Sequence, residues 1–143
     1  MRKQKGQAVV EFALVLPLFL MLAFGVIFAG LLYSDYLTLS NLARESARAA
    51  AIQGMTEDDD GNKNYTGIRD QYGKQTRLIT NLYTWTYSDD NCFSIYNNGT
   101  DTTMVTAKLT AKRNDAFPGA GFVKYMLPET YTIVYSMYKE PSS

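Results

Sequence analysis

"QAVVEFALVLPLFLMLAFGVIFAGLLYSD", residues 7–35, decides the fold, because no charge falls between Glu11 and Asp35. The 23 uncharged residues 12–34, at ~1.5 Å per helical residue, reach ~35 Å and can cross a ~30 Å hydrocarbon core. A secretory signal has a shorter apolar core, ~7 to 15 residues, closed by a small-residue cleavage site. The run is therefore read as a transmembrane helix. Arg2, Lys3 and Lys5 precede it, and the positive-inside rule keeps the N-terminus in the cytoplasm and sends the chain beyond residue 35 outward. Inside the run, Pro17 removes the backbone bond to the Ala13 carbonyl, so a kink or a loosened turn is expected. Gly25 and Gly30 are two places where another helix could approach closely, although glycine is also ordinary in membrane helices.

Glu11 is the anomaly. A carboxylate one residue before an apolar run is a cost, and two accounts cover it. In the first, Glu11 lies in the early turns of the helix, where a negative charge gains ~0.3 to 1 kcal/mol from the helix dipole, and it snorkels to the headgroups. In the second, the chain is cut after Gly6, Gln7 becomes the N-terminus and Glu11 becomes its fifth residue. A free α-amine then stands about one turn from the acid, and a paired charge is tolerated where an isolated one is not.

The stretch "KGQAVVEFALVLPLFL", residues 5–20, resembles the processing site of type IV-type prepilins: a short basic leader ending in glycine, a glutamate at mature position five and an aromatic, Phe12, after it. More narrowly, "GQAVVEFALVLPLFLMLAFGVI" (6–27) followed by "NLARESARAAA" (41–51) resembles the TadE-like proteins of tight adherence pilus systems. The tail "YTIVYSMYKE" (131–140) resembles their closing strand, though that family more usually has arginine where Lys139 stands. The resemblance implies a pilin-like fold and a minor pilin or pseudopilin, cut by a prepilin peptidase between Gly6 and Gln7. Such a subunit serves assembly, initiation or capping of the pilus. Glu11 would pair with an N-terminal amine, while Phe12, Pro17, Gly25 and Gly30 would pack against neighbouring helices. The implied partners are the peptidase, other pilin subunits, the assembly platform and cytoplasmic membrane lipid. The implied location is the cytoplasmic membrane, single-pass with N-in and C-out, and after processing an extracellular pilus. The alternative is an uncleaved single-pass membrane protein whose outer head binds a ligand or adheres.

Composition narrows the remaining chemistry. The 14 basic and 14 acidic residues cancel, so no strong field recommends nucleic acid as a partner. With no histidine and a single cysteine, Cys92, the common zinc spacings, a Ser/His/Asp triad and a Cys/His pair are all unavailable. No enzyme activity, metal or cofactor is expected. Cys92 has no intrachain disulfide partner and reads as a small buried hydrophobe.

Past the membrane run, Asn41, Arg44, Glu45 and Arg48 fall at helical spacing on one side, and Leu39, Ala43, Ala47 and Ala50 on another. An amphipathic continuation to Gln53 is expected, with Gly54 as its stop. Its alanine face needs a close neighbour, the chain's own sheet in preference to a second subunit. "TEDDDGNKN", 56–64, reads as a solvated linker; it lacks the acids an EF-hand requires at its first and last ligand positions. Ile68, Tyr72, Leu78, Ile79 and Leu82 predict a helix over roughly 66–82, against the cost of Gly73. From Tyr83 the period becomes two. Strands are expected at 83–88, 93–96, 102–112 and 131–137, with "NNGTD", 97–101, as a hairpin turn. The apolar residues of 114–129 suggest a connection folded over its own core or a contact patch. Asn64 and Asn98 head glycosylation sequons, and no modification of them is expected in the bacterial source that the resemblance implies. The fold class is α+β: a long N-terminal transmembrane and amphipathic helix packed on a small antiparallel sheet of three to four strands. The divisions are a basic leader 1–6, a helix 7–53 with its transmembrane part at 12–34, and an outer head 54–143.

Overall fold

A computed structural model describes residues 2–57, 63–98, 101–116 and 127–139. The elements in chain order are helix α1 (Arg2–Gln53), strands β1 (Thr56–Glu57) and β2 (Lys63–Asn64), helix α2 (Thr66–Gly73), and strands β3 (Tyr83–Thr84), β4 (Phe93–Asn98), β5 (Asp101–Arg113) and β6 (Thr130–Tyr138). By contacts the chain divides into two compact units, Met1–Ser34 and Asp35–Ser143.

The first unit is helical throughout its described length, and no residue leaves the helical state at Pro17. A kink or a loosened turn is the expectation at Pro17, and the helix passes that position without interruption. What Pro17 does remove is one ladder bond, a loss that a long helix tolerates when the flanking turns are strong helix formers such as leucine and alanine.

In the second unit, α1 continues and buries the face that its spacing marked. Leu39, Ala43, Ala47 and Ala50 are all at 0% exposure, while Asn41, Arg44, Glu45 and Arg48 face water. Alanine has no side chain beyond Cβ, so the helix backbone comes close to what it covers. Ala49 and Ala50 share a core with Tyr65 and Ile68 of the α2 region and Val105 of β5, with Tyr72 and Ile95 packed at its edge. The Arg44 guanidinium lies 5.7 Å from the centre of the Tyr135 ring on β6, a cation–π contact of modest strength. The neighbour of the alanine face is thus the chain's own sheet and short helix. Gly54 ends the helix in the left-handed region at φ 73°, its N–H donating to the Ala50 carbonyl at 3.1 Å, as a C′ glycine does.

The sheet is antiparallel and centred on β5. Leu109 faces Phe93 on one side and Ile133 on the other, and Lys112 faces Thr84 and Thr130. Strands β3 and β4 therefore share one edge and β6 forms the other. The inner side is the expected one, Val105, Ala107, Leu109 and Ala111 all being buried; on the other side Lys108 and Lys112 are exposed while Thr106 is buried. On the outer face, hydroxyl pairs join β5 to β6, Thr106 to Ser136 at 2.9 Å and Thr110 to Thr132 at 3.1 Å. Asn98 pairs with Asp101 after a register shift at Asn97, so β4 and β5 are joined as the hairpin reading required. The acidic run 58–60, the turn residues 99–100 and the core of the apolar connection, 117–126, lie outside the described residues. What flanks the acidic run is a two-residue ladder, β1 with β2, where a plain linker was expected.

Two expectations need correction. The helix foreseen over 66–82 stops at Gly73. Beyond it, Thr76 Oγ1 donates to the Tyr72 carbonyl at 3.0 Å, and the amides of Ile79 and Thr80 donate to the Asp35 carboxylate of α1. Those amides would otherwise have bonded within the helix, and a charged acceptor is the stronger partner. The strand foreseen at 83–88 is limited to Tyr83–Thr84, because the chain turns at 86–89, with the Asp89 amide donating to the Thr86 carbonyl at 3.3 Å. That turn sets Tyr87 against Gly73, where an added Cβ would lie 2.4 Å from the Tyr87 Cβ. Gly73→Ala should therefore destabilise the second unit by about 1 to 3 kcal/mol through overpacking. Urea unfolding of the detergent-solubilised chain measures it, and unchanged stability would show that Tyr87 does not pack as described.

Candidate functional site

The residues singled out for processing and helix packing all lie on α1. Gly6 and Gln7 are within the helix, not in a loop before it, and both are exposed. Gln7 and Glu11 are four residues apart and so share one face, a turn from each other. Phe12 is 66% exposed, and Pro17 follows inside the same helix. Gly25 lies 14 residues beyond Glu11, about four helical turns, which returns it to nearly the same face. Gly30 falls on a different one. The structure thus brings Gln7, Glu11 and Gly25 into one stripe and leaves Phe12, Pro17 and Gly30 outside it.

Among the described residues nothing packs against the glycines of this segment. A Cβ added at Gly6, Gly25 or Gly30 would meet nothing within 4 Å. Glycine inside a helix costs roughly 0.5 to 1 kcal/mol relative to alanine, and here no turn, positive φ or close packing by described residues offsets that cost. The surrounding surface is apolar and open, with Leu14 at 76% and Leu18 at 69% exposure. The helix from Gly6 is long and apolar enough to cross a membrane. The described residues leave this helix surface apolar and open and pack against none of its three glycines.

Directly after the uncharged run stands a residue whose role the sequence did not reveal. Asp35 is 1% exposed. Its carboxylate accepts from Ile79 N at 2.6 Å, from Thr80 N at 3.0 Å and from the Thr80 hydroxyl. Hydrogen bonds to a charged group are worth about 1.5 to 3 kcal/mol each, so Asp35 fixes the 79–80 loop to α1. Beside it, the Tyr131 ring packs edge-on against Tyr83 at 4.7 Å and tilted against Tyr36 at 6.2 Å. The Tyr83 hydroxyl donates to the Pro128 carbonyl at 2.9 Å. No local signal could have marked Asp35, since its partners are 44 and 45 residues away.

Two further features were weighed as sites. A cleft of about 260 Å³ is bordered by Tyr65, Thr66, Arg69, Asp90 and Ser94. Its cation is already matched, because Arg69 Nη1 is ion-paired with Asp90, so the cleft has little charge left to recruit an anion. Cys92 is buried, and burial, followed by the nearby Asp89, pushes its thiol up from its ordinary value. That is the reverse of what a nucleophilic thiolate needs, and it suits the packing role expected of Cys92.

Comparison with known proteins bears on the first of these features. A family model described as TadE-like protein matches residues 6–48, the stretch that contains the uncharged run, Glu11 and most of the alanine face. No curated protein and no solved structure matches.

The tyrosine cluster carries a pH test. Burial first, then the charge of Asp35 and then Tyr83, push the Tyr131 phenol up to about 12 from 10.0. The unfolded phenol ionises at the lower value, so between these limits the folded chain holds a proton that the unfolded chain has lost. Stability present below pH 10.0 is expected to decline as pH rises toward about 12. Chemical denaturation at stepped pH should show a smaller decline for Tyr131→Phe than for the wild type. An equal decline would remove Tyr131 as its source.

Proposed function

Residues 6–48 are TadE-like, and from that premise we propose that the chain is a minor pilin or pseudopilin of a tight adherence pilus system. It is inserted in the cytoplasmic membrane with its N-terminus inside, cut by a prepilin peptidase between Gly6 and Gln7, and used in assembly, initiation or capping of the filament. The observation that carries this reading is Gly6: a helical glycine with open space around it, at the place where a peptidase that reads glycine would cut. A peptidase pocket that admits no side chain gives that glycine a reason which the fold does not.

The chemistry of the step follows from charge. Arg2, Lys3 and Lys5 hold the N-terminus at the anionic cytoplasmic face and would be costly to draw into hydrocarbon. Removing them frees the helix to leave the bilayer. The new ammonium group at Gln7 lies one turn from Glu11, or beside the Glu11 of a neighbouring subunit. An ion pair in a low-dielectric bundle sets axial register, because a one-residue slip leaves both charges unpaired. Exposed Phe12, Leu14, Leu18 and Phe19 then pack against other helices in place of lipid, with Gly25 and Gly30 allowing close approach.

Gly6→Glu should abolish cleavage in cells holding the cognate peptidase, read as retention of the leader by mass spectrometry. Normal cleavage of that variant would end the peptidase reading and leave an uncleaved membrane protein with an outer binding head. Glu11→Gln separates the two halves of the account: cleavage should stay intact while recovery in sheared filaments falls about tenfold or more, the scale of one lost ion pair in a dry interface. Undiminished recovery would discard the pairing.

A further inference from the structure

The unit beginning at Asp35 gathers exposed apolar side chains around that residue. Next to Asp35 in the chain, Tyr36 is 46% and Leu37 41% exposed, and in the loop that its carboxylate holds Ile79 is 66% exposed and Arg77 is exposed as well. Leu82, three residues on, is turned inward and buried. Ile79 is not free to follow it, because its own amide and that of Thr80 are held by the two oxygens of the Asp35 carboxylate. A buried charge thus keeps an isoleucine pointed at the outside, which in water serves no purpose.

Its position supplies one. Asp35 follows the last residue of the uncharged run directly. The 79–80 loop, which the Asp35 carboxylate grips, is therefore tied, by chain continuity, to the residue that follows the end of the apolar run. An aromatic with a polar tip, aliphatic side chains and a cation are the composition that the headgroup boundary favours.

We propose that the 77–79 loop, with Tyr36 and Leu37, is a second membrane contact. Ile79 and Leu37 seat at the boundary between headgroups and acyl chains, the Tyr36 hydroxyl stays in the wet layer, and Arg77 reaches lipid phosphate. The occupant is the surface of the bilayer that the helix is proposed to cross, since Asp35, which holds the loop, follows the last residue of the uncharged run directly in the chain. Held at two places, the outer unit is oriented on the membrane and not merely tethered to it, and this second hold must be released when the subunit is extracted. The inference rests on membrane anchoring by α1 but not on cleavage at Gly6.

The test uses the full chain in lipid nanodiscs containing phosphatidylglycerol, one copy per disc, in a Cys92→Ser background. Single cysteines at Ile79, at Tyr96 on β4 and at Leu22 within the apolar run each carry the same environment-sensitive fluorophore. Nitroxide lipids quench either near the headgroups or at mid-chain. The label at 79 should lose most of its emission to the headgroup-proximal nitroxide, that at 96 little, and that at 22 should be quenched at mid-chain. Quenching at 79 no greater than at 96, with 22 quenched normally, overturns the second contact alone. Absence of quenching at 22 as well overturns both the contact and the anchoring beneath it. Quenching at 79 that appears only when discs hold two or more copies assigns the patch to self-association and overturns the lipid assignment.

Discussion

The Asp35 carboxylate is the constraint on which the second unit depends. It is buried on α1, it binds two amides and a hydroxyl of a loop more than forty residues away, and it does so at the residue where the uncharged run ends. A buried charge of this kind persists only when its hydrogen bonds are made, so the loop is obliged to close on the helix. That closure ends the residues after α2 as loop, places Tyr131 against Tyr36 and Tyr83, and fixes where the sheet begins. The alanine face then supplies the close packing on which β5 and α2 rest.

Local periodicity was legible and long-range capture was not. Leu39, Ala43, Ala47 and Ala50 announced a buried helical face because each contributes at fixed spacing along one element, and all four are fully buried. Val105, Ala107, Leu109 and Ala111 announced the inner face of β5 for the same reason. Leu78, Ile79 and Leu82 had helical spacing too, yet their segment is not helical, because Asp35 takes the amides at 79 and 80 and because Gly73 must remain side-chain-free beneath Tyr87. Gly73 was visible as a cost to that helix, but the capture of the amides by Asp35 has no signature within the segment. Trp85 and Tyr87 alternate like strand residues but lie on a turn that leaves the sheet after Thr84.

The candidate site was legible in a different sense. Gly6, Glu11 and the uncharged run could be read because their pattern conflicts with what an isolated anchor needs. The described fold does not resolve the conflict: a Cβ added at Gly6, Gly25 or Gly30 would meet none of the described residues outside its own helix turns within 4 Å, and the helix surface around them is apolar and open. The proposed function accounts for these residues by what the chain would meet elsewhere, in a peptidase, in lipid and in neighbouring helices, whereas the part of α1 after residue 35 is accounted for by its own packing.

The central claim is that the acid at the edge of the apolar run acquires its counter-charge only through proteolysis. Intact-mass analysis of the wild-type protein purified from its natural host decides it most directly. A chain beginning at Gln7 is the result this account predicts, and a chain that still carries Met1 through Gly6 would contradict it.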